Sequence, residues 1–178
     1  MSDAQFIAEL FMVVIDKEIT GFEHSLIDQA YANYEDPENP DLAFNKEAFS
    51  ASLSVARERL KIIYDTDPSI SEFLSSVSNL YTLWAILVLD GDKIDNFDEF
   101  TSLFLKFSAE VSAVSHQKKL ERSAPASQGA ALPEAANDTP PASPEALQYF
   151  DANQSATTEH PQRAKRLAAL RRALKIED

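Results

Sequence analysis

"LYTLWAILVLDGDKIDNFDEF", residues 80–100, decides the fold. Its first ten residues are almost wholly apolar. Together with Ile70, Phe73, Leu74 and Val77 upstream, the residues Tyr81, Trp84 and Val88 fall on one side of a helix predicted over 70–88. The second half of that helix is apolar nearly all round, which marks it as the most buried helix of the chain. A run of ten apolar residues is about half of what a bilayer crossing needs, so this helix is expected in a protein core rather than in a membrane.

The acidic loop that follows, residues 89–100, invites comparison with a calcium loop. Such a loop needs oxygen ligands at its first, third and fifth positions, Gly at the sixth, an apolar residue at the eighth and Glu at the twelfth. With Gly91 in the glycine slot, Ile86 and Val88 occupy ligand positions and Phe97 stands at the twelfth. With Ile94 in the apolar slot, the loop starts at Leu87, the glycine slot holds Asp92 and the twelfth position holds Asp98. Neither register supplies the oxygens a hard cation requires, and no metal site is expected. The loop reads instead as a turn at Asp90-Gly91, with Gly91 free to take a positive φ. Asp95 is then expected to cap the next helix, with Asp98 and Glu99 in its first turn.

That next helix carries Phe97, Phe100, Phe104, Phe107, Val111 and Val114 at three-four spacing. Upstream, Ser2 and Gln5 predict a capping box for a helix over 3–15. Thr20 and Glu23 predict a second box opening a helix with Phe22, Leu26, Ala30 and Tyr34 on one face. "EDPENPDLAF" (35–44) reads as a loop. Asn45 starts a helix whose stripe is Phe49, Leu53, Ala56, Leu60, Ile63 and Tyr64, and Ser69 with Glu72 predicts a third capping box. The stripes read as core. The prediction is an all-α fold with five helices in a compact body over residues 3–116, in a body segment 1–120.

Residues 121–143 change to Ala, Pro and Ser with almost no large apolar side chain and predict a flexible, disordered linker. The segment 144–178 predicts two short helices, the first opened by Ser143-Pro144-Glu145 and the second by Pro161.

The formal net charge of −13 is unevenly placed: −12 over residues 1–122, −5 over 123–160 and +4 over 161–178. An acidic body argues against broad nucleic-acid binding. The basic last helix is the exception, with Arg163, Lys165, Arg166, Arg171, Arg172 and Lys175 around a stripe of Leu167, Leu170 and Leu174. Two readings follow. Either the leucines dock on the body with the arginines facing its acids, or the cations meet nucleic acid, an anionic membrane surface or an acidic partner. The absence of cysteine removes disulfides and thiolate chemistry, and three scattered histidines and three glycines supply no metal pair or phosphate-cradling loop. No serine sits in Gly-x-Ser-x-Gly. The chain is expected to be cytoplasmic, to need no cofactor and not to be an enzyme on its own.

Three stretches carry a family resemblance: "FIAELFMVVIDKEITGFEHSLIDQAYANY" (6–34), "FLSSVSNLYTLWAILV" (73–88) and "ALQYFDANQSATTEHPQRAKRLAALRRAL" (146–174). Their pattern resembles the C-terminal helical half of the GmrSD-type restriction endonuclease N-terminal domain family. In that family a ParB/sulfiredoxin-like nucleotide-hydrolysing half precedes such helices and carries an Asp-Gly-Gln-Gln-Arg type motif. This sequence has no such motif, since its one Asp-Gly pair, Asp90-Gly91, continues as Asp-Lys. The resemblance therefore transfers no catalytic residue. It implies a non-catalytic helical protein-interaction module of a prokaryotic DNA-restriction or phage-defence system, partnered by a ParB-like catalytic subunit. The alternative reading is a nucleic-acid-binding accessory protein that uses the basic terminal helix.

Overall fold

In a computed structural model, residues 2–35, 44–123 and 142–176 are described, and among them the chain is all-α. Eight helices follow in order: α1 (Asp3–Asp16), α2 (His24–Glu35), α3 (Lys46–Thr66), α4 (Ile70–Leu74), α5 (Val77–Leu89), α6 (Phe97–Ser123), α7 (Pro144–Ala152) and α8 (His160–Ala173), with a 3₁₀ turn at Gly91–Lys93 between α5 and α6. No described helix is long and apolar enough to cross a membrane.

Helix α5 is the axis. Every residue from Tyr81 to Leu87 is buried, and α1, α3, α4 and α8 all pack against it. The Trp84 indole lies in this core and donates its Nε1–H to the Leu10 carbonyl of α1 at 2.9 Å. A buried indole N–H left unpaired would cost one to three kcal/mol at the order-of-magnitude level, roughly, so this bond sets how α1 crosses α5. Phe100, Phe104, Phe107, Val111 and Val114 form the buried face of α6, as their spacing predicts. Helix α2 has no fully buried side chain among those described, so its Phe22–Tyr34 stripe is only half covered.

The sequence reading needs several corrections. The helix expected over 70–88 is two helices. Ser75 ends α4 and Ser76 is extended, with ψ near 119°. Buried Asn79 makes the break possible by donating its amide to the orphan Phe73 carbonyl at 2.9 Å. Val77, expected on the core stripe, is consequently exposed. Ser69 forms no side-chain cap; the Asp67 carboxylate accepts from the Ser69 N–H instead, at 2.9 Å. Helix α2 starts at His24 rather than at Phe22, so the box expected at Thr20 and Glu23 does not open it; ahead of the helix the Phe22 N–H donates to the Thr158 carbonyl at 2.9 Å. Helix α6 runs on to Ser123, three residues into the predicted linker. "SHQKKLERS" consists mostly of good helix formers, and the first breaker is Pro125. Residues 124–141 of the predicted linker and 36–43 of the predicted loop lie outside the described residues.

The α5–α6 loop is also differently built. Gly91 has no positive φ. Its lack of a side chain instead lets Arg59 approach, since a Cβ there would lie 2.5 Å from the guanidinium, and Arg59 donates to the Gly91 carbonyl at 2.9 Å. Asn96, not Asp95, caps α6, its Oδ1 accepting from the Asp98 and Glu99 amides at 3.1 and 3.2 Å. Asn96→Ala is therefore expected to lower unfolding free energy by about 1 kcal/mol, and Asp95→Ala by less than about 0.5 kcal/mol. Chemical denaturation of the two variants checks the assignment.

Three of the expected caps form. Ser2 and Gln5 make a reciprocal capping box at α1. Asn45 accepts from the Ala48 amide at α3, and Ser143 accepts from the Ala146 amide ahead of Pro144 at α7. Helices α7 and α8 pack as a hairpin against α6 and α5. Ala146, Tyr149, Leu167, Ala169, Leu170 and Leu174 join the same core as α5. The C-terminal segment is thus part of one body.

Candidate functional site

Five cations of α8 and Lys175 just beyond its end were singled out by sequence, and the structure sends them in opposite directions. Lys165, Arg172 and Lys175 are exposed, and Arg172 bonds the Gln148 side chain of α7. Arg171 is half-buried and grips the buried Asp90 carboxylate through two hydrogen bonds of 2.8 and 3.1 Å. Asp90, read from sequence as a turn residue, thereby fastens the end of α8 to the α5–α6 loop.

Arg163 and Arg166 point into the protein. Spaced three apart, they lie on one face of α8. Arg163, 3% exposed, makes a two-pronged ion pair with the buried Glu9 of α1 at 2.9 and 3.1 Å. It also donates to the Thr20 carbonyl at 2.8 Å, and its guanidinium carbon sits 3.9 Å from the centre of the Tyr81 ring. Burial lifts the Glu9 carboxyl above its ordinary range, and the Arg163 charge and hydrogen bond pull it partly back. Gly21 belongs to the same junction: a Cβ on it would meet the His160 backbone nitrogen at 3.2 Å.

Arg166 is fully buried. It donates to the Ala152 and Thr157 carbonyls at 3.0 and 2.6 Å and to the Thr82 hydroxyl at 3.3 Å. Burial draws its pKa down from the ordinary arginine value, without bringing deprotonation into reach. Beside it, the buried Asn79 Oδ1 accepts from the Tyr149 hydroxyl at 3.1 Å and from the Asn153 amide at 3.2 Å. Ser78 donates to Asn153 at 2.6 Å. A polar centre running through α1, α5, α7 and α8 results. Its members were visible in the sequence only as scattered polar residues on apolar stripes.

A second feature lies on the outer side of α1, α2 and α3. Four rings touch in succession: Phe11 and Phe49 with centroids 5.6 Å apart, Phe49 and Phe44 at 5.2 Å, Phe44 and Tyr34 at 5.4 Å. Phe11, Phe44 and Tyr34 are each about two-fifths exposed (39, 44 and 38%). Ile7, one turn before Phe11, and Tyr31, one turn before Tyr34, are exposed as well. Sequence reasoning missed this surface: it placed Tyr34 and Phe49 on core stripes and Phe44 at the end of a loop. Periodicity gave no signal that set these rings apart from the core stripes.

Among the described residues no three His, Asp or Glu side chains converge as metal ligands would. Comparison with protein-family models, with curated proteins and with solved structures finds no match to this chain.

Proposed function

We propose that the chain is a non-catalytic helical protein-interaction module. The observation that carries this reading is the ladder of Phe11, Phe49, Phe44 and Tyr34 flanked by Ile7 and Tyr31. Aromatic side chains grouped on a surface supply large contact area at low entropic cost and are enriched at protein interfaces. The sequence resemblance supports a setting in a prokaryotic DNA-restriction or phage-defence system, with a ParB-like nucleotide-hydrolysing domain as the partner that meets this surface.

The test uses the purified chain, a ParB-like subunit encoded beside it, and the double variant Phe11→Asp/Phe44→Asp. A stable complex by size exclusion is expected with the wild-type chain. At least a tenfold loss of affinity is expected in the variant, about 1.4 kcal/mol or more, with circular dichroism unchanged. An undiminished complex in the variant, or nucleotide turnover by the pure chain, would overturn the reading.

The nucleic-acid alternative retains Lys165, Arg172 and Lys175 as outward cations. It requires binding that weakens steeply with salt. Its variants must be made at these three positions, because replacing Arg163 or Arg166 removes interior hydrogen bonds.

A further inference from the structure

The charge around the aromatic surface of α1, α2 and α3 is one-sided. Residues 1–50 hold eleven Asp and Glu against two Lys, a net −9 out of the chain's formal −13. Helices α1 and α2 contain no Lys or Arg. Asp3 stands one turn before Ile7 on α1, Asp28 stands one turn before Tyr31 on α2, and Glu47 lies between Phe44 and Phe49 in the chain. All three acids are exposed, and none forms an ion pair among the described residues. Of the two lysines, Lys46 is exposed beside Glu47, and Lys17 donates to the Ser52 hydroxyl at 3.3 Å.

This rim discriminates among occupants. Phosphate backbones and anionic lipid surfaces carry its own sign, and a second copy would bring another −9 against it. A wholly apolar segment would take water from the acids and give them nothing in return. Ring centres follow one another at 5.2 to 5.6 Å, which is also the spacing, about 5–6 Å, of side chains one turn apart on a helix.

We infer that the occupant is an amphipathic helix of a partner protein, its apolar stripe on the rings and Lys or Arg beside that stripe, toward Asp3, Asp28 and Glu47. This rests on the aromatic surface being a docking surface and specifies what docks there. Exposed ion pairs contribute little each. The rings therefore supply the affinity, while the acids supply association rate, salt dependence and choice of partner.

Fluorescence anisotropy of the full chain with labelled peptides tests it. The first peptide is a helix of about four turns built from Leu and Lys, with Leu at three-four spacing. The second carries Glu in place of every Lys, and the third keeps the composition of the first with its spacing scrambled. The first is expected to bind at least tenfold more tightly than either of the others. Its affinity should fall at least fivefold between about 50 and 500 mM sodium chloride. Phe11→Ala/Phe44→Ala should weaken it at least tenfold, with circular dichroism unchanged. Asp28→Lys/Glu47→Lys should weaken it about fivefold and flatten the salt dependence.

Undiminished binding in the aromatic variant sinks the docking surface itself. Loss in that variant, with the Glu peptide bound as well as the Lys peptide or the charge-reversed variant unaffected, leaves the surface standing and overturns the basic helix. Equal binding of the scrambled peptide, or no binding of the first peptide by about 1 mM, overturns it too. A concentration-dependent dimer that Phe11→Ala/Phe44→Ala dissolves would assign the face to a second copy instead. The peptide comparison needs no substituted protein, so it stands even if a variant misfolds.

Discussion

Replacing Arg163 by Ala is expected to cost about 3–5 kcal/mol of folding free energy. The guanidinium and the Glu9 carboxylate are both buried, with side-chain exposures of 3% and 6%. Truncating one partner leaves the other a charge in the interior and strands the Thr20 carbonyl. The pair itself is not a large net gain, because both groups lost their water to form it. Glu9→Leu combined with Arg163→Met should therefore recover most of the loss. A double-mutant cycle followed by urea denaturation measures the difference. If Arg163→Ala alone costs under about 1 kcal/mol, in the range typical of an exposed pair, the buried arrangement is refuted. Arg163 also holds the Tyr81 ring, so part of the loss will be packing rather than charge.

The second large effect is alkaline. Complete burial pushes the Tyr149 hydroxyl from its ordinary value of 10 up to about 12, against smaller downward pulls from the Thr82 hydroxyl and the Arg166 charge. A phenol whose pKa is raised by folding keeps its proton longer in the native state than in the unfolded chain. Its contribution to stability is therefore fully present below pH 10 and is lost as pH rises toward 12. At about 1.4 kcal/mol per pH unit the loss is on the order of 2–3 kcal/mol. Burial raises Tyr81 as well, which adds in the same direction. Tyr149→Phe gives up the hydrogen bond to Asn79 and should be about 1 kcal/mol less stable at neutral pH, yet its stability should fall less steeply between pH 10 and 12. Parallel slopes for the two proteins would show that Tyr149 does not ionise on unfolding.

How much of this was legible in the sequence depends on the kind of signal. Helix α5 was legible because seven consecutive buried residues, Tyr81 to Leu87, leave no polar face. The face of α6 was legible because five large residues recur at three-four spacing. The α4–α5 break was hidden because a Ser-Ser pair is tolerable inside a helix. What breaks it is Asn79, whose partners Tyr149 and Asn153 lie some 70 residues downstream. The cap at α6 fell to Asn96 rather than the adjacent Asp95, a one-residue choice between equally good cap formers. The basic character of α8 was plain from composition. That Arg163 and Arg166 face inward was carried by their positions relative to Leu167 and Leu170, which share the buried side of α8. The aromatic surface stayed invisible because hydrophobic periodicity places large rings in a core and carries no information on whether the facing helix is present.

The Glu9–Arg163 contact joins residues 154 apart in the chain. Synthesis proceeds at about 5–20 residues per second, so Glu9 waits roughly 8–30 s for its counter-ion to be made. Over that interval the apolar face of α5 also lacks Leu167 and Leu170, which pack in the same core. The nascent chain therefore leaves the side of α5 that meets α8 uncovered until α8 emerges, while α1, α3 and α4 are already available to cover its other sides. A chaperone that binds exposed apolar segments is expected to hold ribosome-bound chains arrested before residue 160 and to release chains in which an added C-terminal linker carries residue 174 clear of the ribosome.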